Sequence, residues 1–226
     1  MSDEFNGSGS IDTTKWSASG SGGGLSTNPC LIYYAPTQGG DGYLHMTTSY
    51  NGNGTWNTSM SIQITPGTPA NYYQEVRFAA DDAMGQDVIG IWTLANSADG
   101  THPEVDSPEG AGYAGAASGP FNYRPGANMI WWASDYSTTL GSYVPSSSYP
   151  SYYNGAFHTI STLRNNGVWT WYYDGSQVAS ANNPISADFA NSPNRIIIQS
   201  GYEHNGCAVG SGTDTTLVDY VRTWHP

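Results

Sequence analysis

Charged side chains, and basic ones above all, are scarce in this chain. Of its 226 residues only 6 are Lys or Arg, against 18 Asp or Glu, and the formal net charge is −12. An electrostatic grip on nucleic acid needs clustered Lys and Arg, and an anionic membrane surface also attracts basic segments. We therefore expect neither a nucleic-acid partner nor a membrane partner. Long surface helices, which draw on Glu, Lys and Arg, are not expected either.

Long hydrophobic runs and cysteines are also few. No run of 18 apolar residues occurs, so the sequence predicts no membrane-spanning helix. The segment from Met1 to Glu4 has neither a basic nor an apolar region and does not resemble a signal peptide, although a mature domain restarted at Met1 would look the same. Cys30 and Cys207 could pair or stay free. One possible disulfide is little evidence for an oxidising compartment.

Apolar residues recur along the chain with period two, the spacing of half-buried β-strands. The dipeptide Asp174-Gly175 follows one such segment and predicts a hairpin turn. Turn-rich stretches such as residues 17–24 separate the segments, but none is long or charged enough for an interdomain linker. We predict a single all-β domain over residues 1–226, a sandwich of two antiparallel sheets. The strand candidates include residues 43–48, 59–64, 73–78, 88–94, 168–173, 195–199 and 217–224.

Three acids fall within six residues of a chain that otherwise carries little charge. On a strand, Glu104 and Asp106 share a face because side chains alternate, whereas Glu109, five positions after Glu104, should face the other way. A one-residue bulge would restore the phase, and Pro108, which cannot donate to a ladder, suits such an irregularity. The spacing therefore predicts a bulged strand with all three carboxyl groups on one face.

Carboxyl groups arranged in this way have a use in retaining glycoside hydrolysis. One carboxylate attacks the anomeric carbon and a second acid, about 5–5.5 Å away, protonates the leaving oxygen. A carboxyl group between the two, here Asp106, could hold them in opposite protonation states, because like charges push pKa values apart. The spacing alone leaves an alternative open, an exposed acidic strand or loop whose carboxylates have no chemical role.

The acids belong to an E-x-D-x-x-E pattern that other landmarks accompany in a fixed order. These landmarks are residues 3–7 and 12–16, Asp41-Gly42-Tyr43-Leu44, Glu75-Val76-Arg77, residues 91–94, Phe157-His158-Thr159, and residues 171–175 and 218–222. Together they resemble glycoside hydrolase family 16, the laminarinase and lichenase group, nearly end to end. Two positions depart from that family's pattern: His102-Pro103 replaces its usual Trp-Pro, and Ser107 stands where it prefers an apolar residue.

The resemblance implies a β-jelly roll with a carbohydrate cleft across its concave sheet. It also implies a retaining endo-hydrolase in which Glu104 is the nucleophile, Asp106 its helper and Glu109 the general acid/base. The expected substrate is a neutral β-glucan with β-1,3 or mixed β-1,3/1,4 linkages, cut by a secreted monomer that needs no catalytic cofactor. Two alternatives stay open: a galactan such as agarose or carrageenan as the substrate, and a non-catalytic carbohydrate-binding jelly roll.

A sugar-binding cleft combines aromatic platforms with hydrogen-bonding groups, because a sugar ring has an apolar face and a hydroxyl rim. We expect Trp92 and His102, which precede the acids, to line the cleft. Trp131 and Trp132 lie where the family's next cleft-facing strand should be, and only one of them can contact substrate because adjacent strand residues face opposite ways. The tryptophans expected to have packing roles are Trp16, Trp56, Trp169, Trp171 and Trp224.

A catalytic metal is not expected, because the five histidines are scattered without metal-ligand spacing; His158 is expected to pack. Members of the family often carry a structural calcium, held by backbone oxygens near the N-terminus and by an Asp of the last strand. The resemblance implies Glu4, Gly42 and Asp219 as this set, and oxygen ligands suit Ca²⁺. The alternative is that Asp219 merely caps a strand pair.

Overall fold

Every regular element that the computed structural model describes is a β-strand, as the sequence predicts. The described residues are 2–19, 31–33, 36–51, 60–64, 71–80, 88–95, 104–110, 129–134, 139–143, 155–166, 168–182, 194–201 and 211–225. Within these ranges sixteen strands form two antiparallel sheets. No helix in the described part of the chain is long and apolar enough to cross a membrane.

The larger sheet contains nine strands. Their order is β1-β4-β5-β16-β7-β12-β13-β14, and β3 pairs with β5 off this path. The strands are β1 (Ser8–Ser10), β3 (Leu31–Tyr33), β4 (Thr37–Gly39), β5 (Leu44–Asn51), β7 (Tyr72–Ala80), β12 (Phe157–Asn165), β13 (Val168–Tyr173), β14 (Ser176–Asn182) and β16 (Ser211–Trp224).

The smaller sheet contains seven strands in the order β11-β10-β9-β8-β15-β6-β2. The acidic segment forms β9, which lies between β8 and β10 and is therefore paired on both sides. The strands are β2 (Trp16–Ser19), β6 (Met60–Ile64), β8 (Val88–Ala95), β9 (Glu104–Gly110), β10 (Met129–Ser134), β11 (Thr139–Tyr143) and β15 (Asn194–Gly201).

One hydrophobic core lies between the two sheets. On β7 buried residues alternate with partly exposed ones from Tyr72 to Phe78, as period-two patterning requires. The smaller sheet contributes Ile91, Ile196 and Ile198 to the same core. Three of the five tryptophans predicted to pack are among its largest members, since Trp16, Trp169 and Trp171 are at most 1% exposed.

The predicted hairpin at Asp174-Gly175 is confirmed. β13 ends at Tyr173, β14 begins at Ser176, and both turn residues have positive φ, 46° and 76°. Gly tolerates this conformation without strain and Asp is one of the few other residues that do. The Asp174 carboxylate also contacts the buried His158, whose Nδ1 lies 2.9 Å from Oδ2. His158 is therefore a packing residue, as expected.

Some expectations from the sequence differ from the structure. Residues 17–19, expected in a turn-rich stretch, belong to β2. They pair with residues 61–63 of β6, and Ala18 lies opposite Ile62. The closing strand begins at Ser211 and not at residue 217, since its first half pairs with β5. Trp224, expected to pack, is 47% exposed on the outer face of its sheet. The expectations for Cys30, Trp56, His102 and Cys207 lie outside the described residues.

Candidate active site

The acidic strand β9 is bulged between its second and third acids. Against β8, Glu109 pairs with Gly90 and Asp106 with Trp92, so a step of three residues on β9 faces a step of two on β8. The ladder with β10 shows the same mismatch. One extra residue therefore sits in β9 between Asp106 and Glu109, which confirms the predicted bulge.

The bulge brings the three acids into one phase of the sheet. Glu104 pairs with Leu94, and Leu94, Trp92 and Gly90 are alternate residues of β8. Residues that oppose each other in a ladder share a face, so Glu104, Asp106 and Glu109 lie on the face that Ile91 does not use. Since Ile91 is 2% exposed and belongs to the core, the acids occupy the outer face of the smaller sheet.

Tryptophans occupy register positions on both sides of the central acid. Asp106 pairs with Trp92 on β8 and with Trp132 on β10, so all three share the outer face. Trp131 pairs with Tyr143 on β11 and falls in the opposite phase. Of the two adjacent tryptophans only Trp132 therefore lies on the face of the acids, and Trp131 is withdrawn as a substrate-binding candidate on that face.

Strand β15 adds polar residues to this face that the sequence analysis did not single out. Arg195 pairs with Leu94 and thus continues the row of Glu104, while Gln199 pairs with Gly90 in the row of Glu109. Neighbouring strands are about 4.8 Å apart, so Arg195 stands roughly 10 Å from Glu104 across two strands. The apolar run around Arg195 predicted a central strand but not which neighbours it would meet.

The arrangement as a whole combines acids, indoles and hydrogen-bonding groups on one sheet face. Glu104 and Glu109 occupy the two outer rows of the acidic segment, with Asp106 in the row between them. On the neighbouring strand their partners, Leu94 and Gly90, are four residues apart, about 13 Å along a regular strand. A pair of carboxyl groups with different protonation states can supply both a nucleophile and a proton donor.

The residues expected to hold calcium meet near an irregularity in β16. Asp219 lies where the ladder between β16 and β7 shifts register. Val218 pairs with Leu44, two residues after Gly42, and Asp3, next to Glu4, forms a bridge with Val221. The topology thus brings the three chain segments of the expected set together.

The carboxylates of this set already have cationic partners. Glu4 accepts two hydrogen bonds from Arg222, each 2.8 Å long, and these hold the pKa of Glu4 below its usual value. The Asp219 carboxylate accepts a hydrogen bond from Nη1 of Arg77. No group of three His, Cys, Asp or Glu side chains suited to a metal occurs among the described residues. A dication beside Arg77 would be repelled, so the Asp219 carboxylate, as arranged, does not fit a bound calcium ion. The backbone oxygens expected from Glu4 and Gly42 stay a prediction.

Comparison with solved structures identifies a known fold. A Bacteroides ovatus mixed-linkage glucan family 16 glycoside hydrolase, in complex with a G4G4G3G product, has a TM-score of 0.75 at 16% identity over 99% of both chains. A Bacillus licheniformis β-glucanase has a TM-score of 0.71 at 14% identity, covering 100% of this chain and 98% of its own. Porphyranase B of Zobellia galactanivorans has a TM-score of 0.71 at 20% identity, covering 100% and 90%.

No protein-family model matches the sequence, and no curated protein matches it significantly. The likeness is therefore one of structure, and it extends over the whole length of the chain. The fold is the β-jelly roll of the family 16 glycoside hydrolases. This confirms the predicted fold class and, at the level of the fold, the family that the sequence resembles.

Proposed function

We propose that this protein is a retaining endo-glycoside hydrolase whose catalytic acids are Glu104, Asp106 and Glu109. The observation that carries the proposal is the bulge in β9, which puts all three acids on one sheet face at positions flanked by Trp92 and Trp132. An acidic strand without a chemical role would not need a bulge to keep its acids in phase. The whole-length likeness to family 16 glycoside hydrolases supports the same activity.

The proposed reaction proceeds by double displacement. The Glu104 carboxylate attacks the anomeric carbon while Glu109 donates its proton to the leaving glycosidic oxygen, and the C–O bond to the leaving sugar breaks. A covalent glycosyl-enzyme bond to Glu104 results. Glu109, now ionised, takes a proton from water, whose oxygen attacks the anomeric carbon and releases Glu104. Two inversions give a product that retains its anomeric configuration.

Asp106 is proposed as a helper and not as a third reacting group. It lies in the row between Glu104 and Glu109. A negative charge at this place raises the pKa of neighbouring carboxyl groups, which favours the protonated state that the acid needs. A hydrogen bond shared with Glu104 would in turn hold the nucleophile in position.

For the substrate we propose a neutral β-glucan with β-1,3 or mixed β-1,3/1,4 linkages, cut internally. Indole rings at Trp92 and Trp132 provide apolar platforms for sugar rings, and Arg195 and Gln199 bring hydrogen-bonding groups to the same face. A Bacteroides ovatus protein of this fold was solved with a mixed-linkage glucan product. Because a polysaccharide does not cross a membrane, we also propose a secreted protein, acting as a monomer.

A galactan is the second candidate substrate. The observation in its favour is that a porphyranase shares the fold over the whole length of this chain. The two candidates use the same acids and the same displacement chemistry. They differ only in the sugar that the aromatic face accepts.

The proposal is tested by measuring reducing-end release from laminarin, lichenan, xyloglucan and agarose. We expect release from laminarin or lichenan, products that retain the β configuration by NMR, and loss of at least about 1,000-fold in Glu104→Gln and Glu109→Gln. Glu4→Gln, the same exchange at a residue that pairs with Arg222 of the other sheet, should keep the wild-type rate near neutral pH. Wild-type activity in either acid variant would contradict the mechanism. Binding without release from any polymer would favour a non-catalytic jelly roll.

A further inference from the structure

The outer face of the larger sheet, on the far side of the core from the acids, carries one exposed and two half-buried aromatic rings. Trp224 is 47% exposed, and its ring centroid lies 5.3 Å from that of Tyr73, its ladder partner on β7. The Tyr73 ring in turn lies 6.4 Å from that of Tyr172 on β13. We call Tyr73, Tyr172 and Trp224 the outer aromatic patch. Its three rings belong to β16, β7 and β13, and β12 lies between the last two strands.

A carboxylate beside the patch holds a set of hydroxyl groups in place. Glu75 accepts hydrogen bonds from the hydroxyl groups of Tyr73 at 3.0 Å, Tyr220 at 2.7 Å and Ser161 at 3.3 Å. Both tyrosine hydroxyl groups therefore act as donors to the same carboxylate, Tyr73 to Oε2 and Tyr220 to Oε1. Ser161 is buried, so the hydroxyl groups that remain to accept a hydrogen bond from a ligand are those of the partly exposed Tyr73 and Tyr220.

Two of the three carboxylates around the patch, Glu4 and Asp219, are paired with basic side chains. Arg222 forms a bidentate pair with Glu4 and also covers the Tyr220 ring, with its guanidinium carbon 3.7 Å from the ring centroid. Arg77 contacts Asp219. Glu75 adds a third carboxylate, whose hydrogen bonds come from hydroxyl groups, so carboxylates outnumber guanidinium groups on this face by one. That excess disfavours an anionic ligand, whereas the rings and hydroxyl groups suit an uncharged one.

Two observations decide which class of uncharged ligand fits. Among the described residues the exposed large hydrophobic side chains are Val168 and Trp224, and both belong to this outer face. That is too little apolar surface for the core of a stable protein interface, which buries about 800 Å² per partner. Neighbouring rings, tilted against one another and bordered by tyrosine hydroxyl groups, match a sugar, which stacks on one exposed ring, here Trp224, while its hydroxyl rim makes hydrogen bonds.

We propose that the outer aromatic patch is a second, non-catalytic binding site for a neutral polysaccharide. The choice of polymer rests on the proposed function, since the same chain that is cut at the acids would be the one held here. The two sheets separate the patch from the acids, so a sugar bound to it is not in a catalytic subsite. The patch would keep the protein on a large or insoluble polymer between cleavage events, and it would contribute nothing to a substrate too short to reach it.

The test is affinity electrophoresis in gels that contain laminarin, lichenan or agarose, with variants built on Glu104→Gln to limit turnover. We expect Trp224→Ala and Tyr172→Ala to be retarded less than their parent, with an apparent Kd at least about fivefold higher for the retarding polymer. Val168→Ala, which changes an exposed side chain of the same face without removing a ring, should be retarded like the parent. Circular dichroism and thermal melting establish that each variant is folded.

A second measurement separates this proposal from the proposed function. In the otherwise wild-type protein, Trp224→Ala should cleave a short soluble oligosaccharide at the wild-type rate, whereas Glu104→Gln should not cleave it. The second site is overturned if no polymer retards the parent, if both ring variants are retarded equally with the parent, or if Trp224→Ala changes the oligomeric state instead. If the protein had no glycosidase activity but did bind polysaccharide at the patch, the ring variants would still be retarded less than their parent.

Discussion

Asp106 lies directly opposite Trp92 in the ladder between β8 and β9, and the next acid, Glu109, pairs with Gly90 one residue out of step. Asp106 and Trp92 therefore share a face. The extra residue of β9 lies between Asp106 and Glu109. A regular strand with the same sequence would place Glu109 on the face of the core. The bulge thus decides whether the segment carries two acids or three on its outer side.

The first prediction concerns the bulge. Deleting Pro108 removes one residue between Asp106 and Glu109, so the three acids stand at alternate positions of β9. They then match alternate residues of β8 without a bulge. Since the three acids stay in phase, we expect hydrolysis within about tenfold of wild type, because each acid keeps its role. Initial rates of reducing-end release on the best polymer of the panel provide the measurement.

The matched control is deletion of Val105, which also shortens β9 by one residue. It moves Glu104 out of phase with Asp106, so the rate should fall by at least about 100-fold, the usual contribution of one catalytic group. Thermal melting checks that both proteins fold. If the two deletions had equal rates, the phase of the acids would not matter and the site would have to be placed elsewhere.

Arg195 gives a prediction about substrate binding. Register places it on the face of the acids, two strands from Glu104. A guanidinium that donates to sugar hydroxyl groups contributes mainly to binding, so Arg195→Ala should raise KM about tenfold and change kcat by less than about threefold. Arg195→Lys should recover part of the loss. A fall in kcat at constant KM would instead assign Arg195 to the chemical step.

Arg77 gives a prediction about calcium. Its contact with the Asp219 carboxylate occupies an oxygen that the ion would need. Arg77→Gln should therefore bind calcium better than wild type, with a Tm at least about 3 °C higher in millimolar calcium than in chelator. Arg222→Gln, which releases Glu4 instead, is the control. Equal shifts in all three proteins would show that Arg77 does not compete with the ion.

The ion pair of Glu4 and Arg222 predicts a dependence of stability on pH. The hydrogen bonds from Arg222 lower the pKa of Glu4 from its usual value of 4.5. Ionisation of Glu4 is therefore more favourable in the folded than in the unfolded protein, and the ionised group stabilises the fold. Its contribution is complete above that usual value and is lost as the pH falls through the lower, folded pKa. Between pH 7 and about pH 3, Glu4→Gln should therefore lose less Tm than wild type.

The size of this difference should be modest. Both side chains are more than one third exposed, and exposed ion pairs contribute about 0–1 kcal/mol, or a few degrees at most. Thermal melts in low salt show the difference best, because salt screens exposed pairs. The same acid-induced loss of Tm in both proteins would mean that the pair adds nothing to stability.

Several features of the fold and site could be predicted from local sequence because their causes are local. Period-two patterning predicts the strands, and Asp174-Gly175 tolerates the positive φ of its turn. The spacing of Glu104, Asp106 and Glu109 predicts the bulge, since only an extra residue reconciles five positions with one face. The packing of Trp169 and Trp171 follows from their shared phase on β13.

Other features depend on neighbours that are distant in sequence. Arg195 reaches the face of the acids because β15 pairs with β8, about a hundred residues earlier in the chain. Arg164 is 1% exposed within the core, 5.1 Å from the Trp169 ring, although its charge suggests a surface position. The choice between Trp131 and Trp132 needed the register of β10 against β9. No local pattern contains this information.

The sequence by itself determined the strands, the turn chemistry and the three acids with their bulge, because backbone alternation and φ preferences act within a few residues. The tertiary structure decided which strands are neighbours, and hence that Trp92, Trp132 and Arg195 join the acids. It also decided that Arg77 contacts Asp219 and that Trp224 is exposed beside Tyr73. Strand pairing is set by burial of both sheets around one core, and this is a property of the whole chain.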